Sequence, residues 1–364
     1  MPWRVGRNDK ECFWAVNEPD DGPSAPSDPS TSGAPFPGQL LHPYVYITKA
    51  IEWLLADPKH IDEPDIPLEE RVALLRGRVR MDWTIGRVGA MATQEILDGL
   101  RAIGTTLDAD GFRGLAAQYM SAIDLAEAHF GRPEDIPAPY DDDFTWMAAL
   151  ELWRRLLPER PCVEMVEEEL VDGYLAFEDD DVAGIVAHWE AAWSLLKKAA
   201  PVQVKSLDMA EVALTGHPPM QLPDWCDNFE SVLDDMALED RPSAPRRLAF
   251  CTDFLERFPE SDNERLLSIR KAVGETHAIL GDRRRADAAF KAMVRDYPDD
   301  PSVLVAWADS FWMVQIPGPD AIPAKDLARA ERMYVKALGM RGADHDDVWE
   351  KLDDLREEQK ELSA

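Results

Sequence analysis

The segment from Arg283 to Pro298, RRRADAAFKAMVRDYP, decides the fold of this chain. Its apolar residues Ala286, Phe290 and Met293 follow one another in steps of four and three, which place side chains on one face of a helix. The proline that follows ends the helix. The same spacing recurs at Ala149, Trp153, Leu156 and Pro161, and at Trp189, Trp193, Leu196 and Pro201. Repetition of one helix and one stop is typical of stacked helical arrays and predicts an all-α fold.

The composition of the chain indicates a folded and strongly acidic protein. Its 364 residues are 45% hydrophobic, which is enough for a buried core. They include 70 acidic and 39 basic residues, which gives a formal net charge of −31. Because so negative a surface repels nucleic acid and anionic membranes, we expect neither as a direct partner. The simplest interpretation of the acidity is solubility; the sharper ones are a basic protein partner or mimicry of nucleic-acid charge.

The sequence also bears on the cellular compartment. No segment approaches the roughly 20 apolar residues that a membrane-spanning helix needs. Met1 to Lys10 lacks the apolar run of a secretory signal. The four cysteines, Cys12, Cys162, Cys226 and Cys251, form no C-x-x-C pair and no dense disulfide pattern. We therefore predict a cytoplasmic protein, with Cys251 at a core position of its helix.

Changes in composition divide the chain into four parts. Residues 1–16 form a head too short to fold alone, and residues 17–38 form a linker rich in proline, serine and glycine. Such a linker cannot bury enough apolar surface to offset its ordering entropy, so we expect it to be flexible. Residues 39–135 form an N-terminal helical region, and residues 136–364 form a repeat region that ends in a charged capping helix.

A short string in the head resembles the opening of the small zinc-binding motif at the tail of SecA proteins. The string is VGRND, from Val5 to Asp9, followed by Cys12. The resemblance ends there, because Phe13 and Trp14 stand where the motif continues and its remaining ligands are missing. A zinc site needs about four ligands, so we expect no metal in the head.

Residues 267–300 resemble one unit of the tetratricopeptide repeat family. Gly274 stands where the two helices of such a unit cross closely, and Gly281 falls at the turn between them. Phe290 and Pro298 then follow at the spacing of the family. The physical reason for the pattern is that a small residue permits close approach, while the aromatic ring fills the groove between the helices.

The neighbouring units keep less of the pattern. The following unit matches on both helices but carries an insertion, Gln315 to Lys325, between them. In earlier units Arg247 replaces the small residue and Cys251 the aromatic one, and Trp189 stands at a small position. The proline stops fall at intervals of 40, 58 and 39 residues, against 34 in the family. The resemblance is clearest over 267–340 and implies an irregular α-solenoid of antiparallel helix pairs.

The resemblance also implies where a partner binds. In this family the inner face of each first helix lines the ligand groove, and here that face carries Lys271, Glu275, Asp309 and Trp312. Aromatic and charged side chains on one concave wall suit a protein or peptide partner. For Trp312 the competing interpretation is that it packs under the proline-rich insertion.

Motifs for catalysis or cofactor binding are missing from the sequence. It contains no G-x-G-x-x-G, G-x-x-x-x-G-K-S/T, H-E-x-x-H or G-x-S-x-G string. The acidic runs Asp141–Asp143 and Glu178–Asp181 lack the alternating ligands of a calcium loop and suit helix starts better. We therefore expect no cofactor and no metal.

From these observations we predict a non-catalytic adaptor that holds a protein or peptide partner with a basic patch. The second hypothesis is an acidic inhibitor that mimics nucleic acid and binds a basic protein. The third is an enzyme whose residues meet only in the fold. The oligomeric state stays open.

Overall fold

The computed structural model describes residues 43–56, 83–130, 142–214, 220–313 and 326–363. Within these ranges the chain forms sixteen α-helices and one 3-10 turn and contains no strand, which confirms the all-α prediction. The head, the linker and the insertion Gln315 to Lys325 lie outside the described residues. So does a helix that the sequence predicts over Leu68 to Met81.

The helices are, in chain order, α1 Pro43–Ala56, α2 Ile85–Gly89, α3 Thr93–Ala102, α4 Ala109–Ala116, α5 Ala122–His129, α6 Asp142–Leu156, α7 Val163–Glu178, α8 Val182–Ala199, α9 Leu207–Leu214, α10 Leu222–Glu239, α11 Ala244–Arg257, α12 Asn263–Ile279, α13 Arg283–Asp296, α14 Pro301–Trp312, α15 Leu327–Leu338 and α16 His345–Ser363. The 3-10 turn, Arg241–Ser243, joins α10 to α11.

Aspartates begin several of these helices. Each accepts a hydrogen bond on its side chain from a backbone N–H of the first turn, which satisfies a donor that lacks an intrahelical partner. The capping aspartates are Asp108, Asp181, Asp262, Asp282, Asp300 and Asp326. Their negative charge also lies at the positive end of the helix dipole. Part of the acidity of the chain is therefore used to start helices; within the run Glu178–Asp181, Asp181 caps α8, whereas Glu178 ends α7.

Helices that are neighbours in sequence pack against each other along most of the described chain. Alternate helices of the C-terminal half also touch, since α10 packs on α12 and α12 packs on α14. In the N-terminal half, α2, α3, α4 and α5 all pack against α6. Helix α1 packs on α7, where the Lys49 ammonium lies 2.8 Å from Glu168 and 2.7 Å from Asp172.

Two helix pairs cross over a glycine. On α12, Gly274 leaves a notch that the ring of Phe290 from α13 fills, and a Cβ at Gly274 would lie 2.9 Å from that ring. On α7, Gly173 leaves an equivalent notch for Trp189 from α8, and a Cβ there would overlap the indole. The glycine and the aromatic residue are 16 positions apart in both pairs (290 − 274 and 189 − 173). Both helix pairs therefore pack in the same way, with an aromatic ring against a glycine.

This geometry corrects the register that the sequence suggests for α8. Trp189 occupies the position equivalent to Phe290 and not the small position of its unit. Trp193, one turn later, packs against Phe250 and Phe254 of α11, with ring centroids 5.2 and 6.1 Å apart. The spacing along α8 alone does not reveal which of its two tryptophans meets the glycine of the preceding helix.

Truncation of a core aromatic residue tests the packing. We expect Trp153→Ala and Phe290→Ala each to lower the free energy of unfolding by about 3–5 kcal/mol, because truncation of a large buried side chain leaves a cavity. Both side chains are fully buried. Urea denaturation followed by far-ultraviolet circular dichroism measures the loss. An unchanged transition midpoint in either variant would contradict the core placement.

The glycine notch can be tested with a matched pair of substitutions. We expect Gly173→Ala to lower the free energy of unfolding by about 1–3 kcal/mol, because the added methyl group would overlap the Trp189 indole. Gly114→Ala on α4 is the control, since a Cβ there meets nothing within 4 Å. Helix propensity predicts that this control gains about 0.5–1 kcal/mol. If thermal melts of the two variants shift equally, the notch is not a constraint.

Candidate functional site

Of the four residues predicted to bind a partner, three fall into two groups in the structure, and Lys271 lies outside both. Asp309 and Trp312 on α14 meet through a shared tyrosine on α15. Glu275 on α12 contacts a buried arginine instead. Lys271, one turn before Glu275, donates from Nζ to the hydroxyl of Ser302 at 3.3 Å. The structure thus brings together only the two residues of α14, and it places all four in contacts within the chain.

A hydrogen-bonded network joins α14, α15 and α16. Trp312 Nε1 donates to Tyr334 Oη at 2.8 Å, and the Tyr334 hydroxyl donates in turn to Asp309 Oδ1. Lys351 Nζ lies 3.1 Å from Asp309 Oδ2. Burial raises the pKa of Tyr334 and of Asp309, and the neighbouring Lys351 ammonium offsets part of the rise at Asp309. Tyr334 therefore keeps its proton and links the indole to the carboxylate.

The network has a buried centre and a charged rim. Trp312 is 8% exposed and Tyr334 is fully buried. The side chains of Asp309 and Lys351 keep 26% and 25% of their surface exposed. Of the two interpretations of Trp312, its burial favours packing, although the insertion that would cover it lies outside the described residues. A partner that reaches this side of α14 would meet the Asp309–Lys351 pair before the indole.

The second group surrounds Arg247, a residue of α11 that is only 3% exposed. Glu230 and Asp234 of α10 each lie 2.6 Å from its guanidinium, and Glu275 of α12 lies 3.1 Å away. One cation thus ties three helices together; we call these four residues the Arg247 cluster. Sequence reasoning identified Arg247 only as a departure from the repeat pattern. The signal it left unused was the pair of acids at Glu230 and Asp234, four residues apart on one face of a helix.

The Arg247 cluster contains three carboxyl groups for one guanidinium. Burial raises the pKa of all three carboxyls, and the charge of Arg247 offsets only part of that rise. For Glu275 the pKa reaches about 7. The charge at this point of α12 therefore changes close to neutral pH.

The described residues offer little other chemistry. Among them, no group of three His, Cys, Asp or Glu side chains is arranged to hold a metal ion. No described helix is long and apolar enough to cross a membrane. Cys162, Cys226 and Cys251 are buried, and burial raises the pKa of each thiol, which disfavours the reactive thiolate. The core position predicted for Cys251 is confirmed.

Comparison with protein-family models, with curated proteins and with solved structures finds no match for this chain. The resemblances to the tetratricopeptide repeat and to the SecA zinc motif therefore remain predictions. Function has to be argued from packing, burial and charge.

The raised pKa of Glu275 has a consequence for stability. A carboxyl whose pKa is higher in the folded chain than its ordinary value of 4.5 binds its proton more tightly when folded. Ionisation of Glu275 then lowers the free energy of unfolding as pH rises from about 4.5 to about 7. Glu275→Gln removes this ionisation. We expect the stability of the variant relative to wild type to rise by about 1–2 kcal/mol between pH 5 and pH 8.

Urea denaturation of both proteins at several pH values between 5 and 8 measures this change. Glu256→Gln on α11 is the control. This substitution also replaces a glutamate by glutamine, but at a side chain that is exposed. The control should keep a constant difference from wild type over the same range. A Glu275→Gln difference that does not vary with pH would contradict the assignment.

Proposed function

We propose that this chain is a non-catalytic scaffold that holds a protein or peptide partner with a basic patch. One observation carries the proposal: helices α10, α12 and α14, which pack in succession, each present partly exposed carboxyl groups. These groups, which we call the acidic row, belong to Glu230, Asp234, Glu275 and Asp309.

We further propose that α10 to α16 form an irregular, tetratricopeptide-like solenoid. The support is the alternation of contacts, since α12 packs on its neighbours in sequence and also on α10 and α14. The close crossing at Gly274, filled by Phe290, is the kind of packing that such units use. In a solenoid of this kind alternate helices share one face, and on that face the acidic row would be the binding surface.

The charge balance of the acidic row explains why a basic partner would bind. Arg247 offers one positive charge to three carboxyl groups, so a lysine or arginine from a partner would find uncompensated negative charge there. Complementary charge of this kind speeds encounter and sets specificity, and it weakens as salt screens it. Because Glu275 ionises near pH 7, the proposal also implies tighter binding above that pH than below it.

A screen of lysine- and arginine-rich peptides against the full chain, followed by fluorescence anisotropy at low salt, tests this function. For a peptide that binds, we expect the double variant Glu275→Gln/Asp309→Asn to weaken binding about tenfold, because it removes two charges from the acidic row. The control is Glu127→Gln/Glu256→Gln, which removes two exposed charges outside the row. It should change the affinity by less than about twofold.

The outcomes separate the proposed function from its main alternative. Equal weakening by the two double variants would contradict binding at the acidic row, and it would fit the diffuse negative surface that a nucleic-acid mimic needs. Circular dichroism spectra and melting curves of each variant establish that the fold is kept.

A further inference from the structure

A cavity of about 210 Å³ lies where the N-terminal helices meet the end of α8. Three segments of the chain line it. Tyr119 and Met120 follow α4, Trp153 and Arg160 belong to α6 and the loop after it, and Lys198 stands in the last turn of α8. Two prolines and an alanine complete the lining. The cavity is thus formed by segments that are distant in sequence.

The charge of this lining is opposite to that of the chain as a whole. It contains two cations, Arg160 and Lys198, and no carboxyl group, in a chain with 70 acidic and 39 basic residues. In the described part of the chain, neither cation has a carboxylate within ion-pair distance. Arg160 is half-buried, and most other buried or half-buried cations among the described residues have such a partner, as Arg247 and Lys351 do, whereas Lys198 is exposed.

Arg160 is held in place by neutral groups. Its terminal nitrogens donate to the carbonyl oxygens of Ala116, Ala117 and Tyr119 at 2.7, 3.3 and 2.7 Å. Its own carbonyl oxygen accepts a hydrogen bond from Trp153 Nε1 at 2.6 Å. These contacts fix the guanidinium without cancelling its charge, so its position is set before any ligand arrives.

Carbonyl oxygens just beyond the end of α8 also have a cationic donor. Carbonyl groups that end a helix carry partial negative charge, which opposes an anion. Here Arg257 donates to the carbonyl oxygens of Ala200 and Pro201 at 2.9 and 3.1 Å, just beyond the end of α8. A third cation therefore stands behind this edge of the cavity.

We propose that this cavity binds a small organic anion. A carboxylate or phosphate group would lie between Lys198 and Arg160, which suit both as charge-assisted donors. A small organic body of a few atoms would lie against Tyr119 and Met120, which are half-buried, whereas Trp153 is fully buried. The volume is below that of typical pockets for drug-sized ligands, so the ligand is a small metabolite and not a nucleotide. The site is separate from the acidic row and does not depend on the proposed scaffold function.

Isothermal titration calorimetry on the full chain at low chloride concentration tests the site. The probes are benzoate, phenyl phosphate and inorganic phosphate, with benzyl alcohol as the uncharged match. We expect saturable binding of one molecule of benzoate or phenyl phosphate per chain and no binding of benzyl alcohol. Benzyl alcohol binding as well as benzoate would overturn the selectivity for anions. Equal affinity for inorganic phosphate and phenyl phosphate would overturn the claim that the ligand is organic, and it would indicate a site for free phosphate.

Two lysine variants locate the binding. Lys198→Gln removes an exposed cation of the lining. We expect this variant to bind the anionic probes about tenfold more weakly, because it loses one charge-assisted hydrogen bond to the ligand. Lys291→Gln removes an exposed lysine of α13 outside the cavity and should leave the affinity unchanged. Equal weakening by both variants, or no saturable binding of any anionic probe, would overturn the proposal. Melting curves of both variants check that each remains folded.

Discussion

The close crossing of paired helices over a glycine is the constraint on which the packing of two helix pairs, α7–α8 and α12–α13, depends. Phe290 lies in the notch of Gly274, and Trp189 lies in the notch of Gly173. Each ring also contacts a helix further along the chain. Phe290 stacks on Trp307 of α14 with an angle of 11° between the rings, and Trp189 meets Phe229 of α10 edge to face. One notch therefore fixes the approach of two helices and the position of a third.

The pair α10–α11 is held together in a different way. Neither helix contains a glycine, and Arg247 stands where the repeat pattern has a small residue. The Arg247 cluster joins this pair to α12 through ion pairs and not through a close crossing. Burying a guanidinium is costly unless its donors are paired, so such a joint specifies a geometry more than it adds stability. Protonation of Glu275 also changes the charge of this contact, whereas the contact between an aromatic ring and a glycine contains no titratable group.

The helices themselves were largely predictable, whereas the way they meet was not. Steps of four and three place Ala286, Phe290 and Met293 on one face of α13, and all three are buried. A face on one helix does not say which residue of the next helix it meets, so the spacing along α8 alone puts Trp189 at the wrong position of its unit. The predicted partner-binding residues share the same weakness. They lie on faces of single helices, and the residues that engage them, such as Tyr334 on the next helix, do not follow from the spacing along one helix.

The docking of α1 on α7 has a consequence for the nascent chain during its synthesis. Lys49 bonds to Asp172, 123 residues further along, and Trp53 Nε1 donates to Asp179 at 2.9 Å. At ribosomal rates of about 5–20 residues per second, α1 emerges roughly 6–25 s before its principal docking helix exists. During that interval Val45 and Leu54, which end up buried, have no finished surface to cover them. During this part of translation the apolar side chains of α1 are therefore exposed to solvent. A chaperone that binds exposed apolar segments would protect the nascent chain from aggregation in this interval.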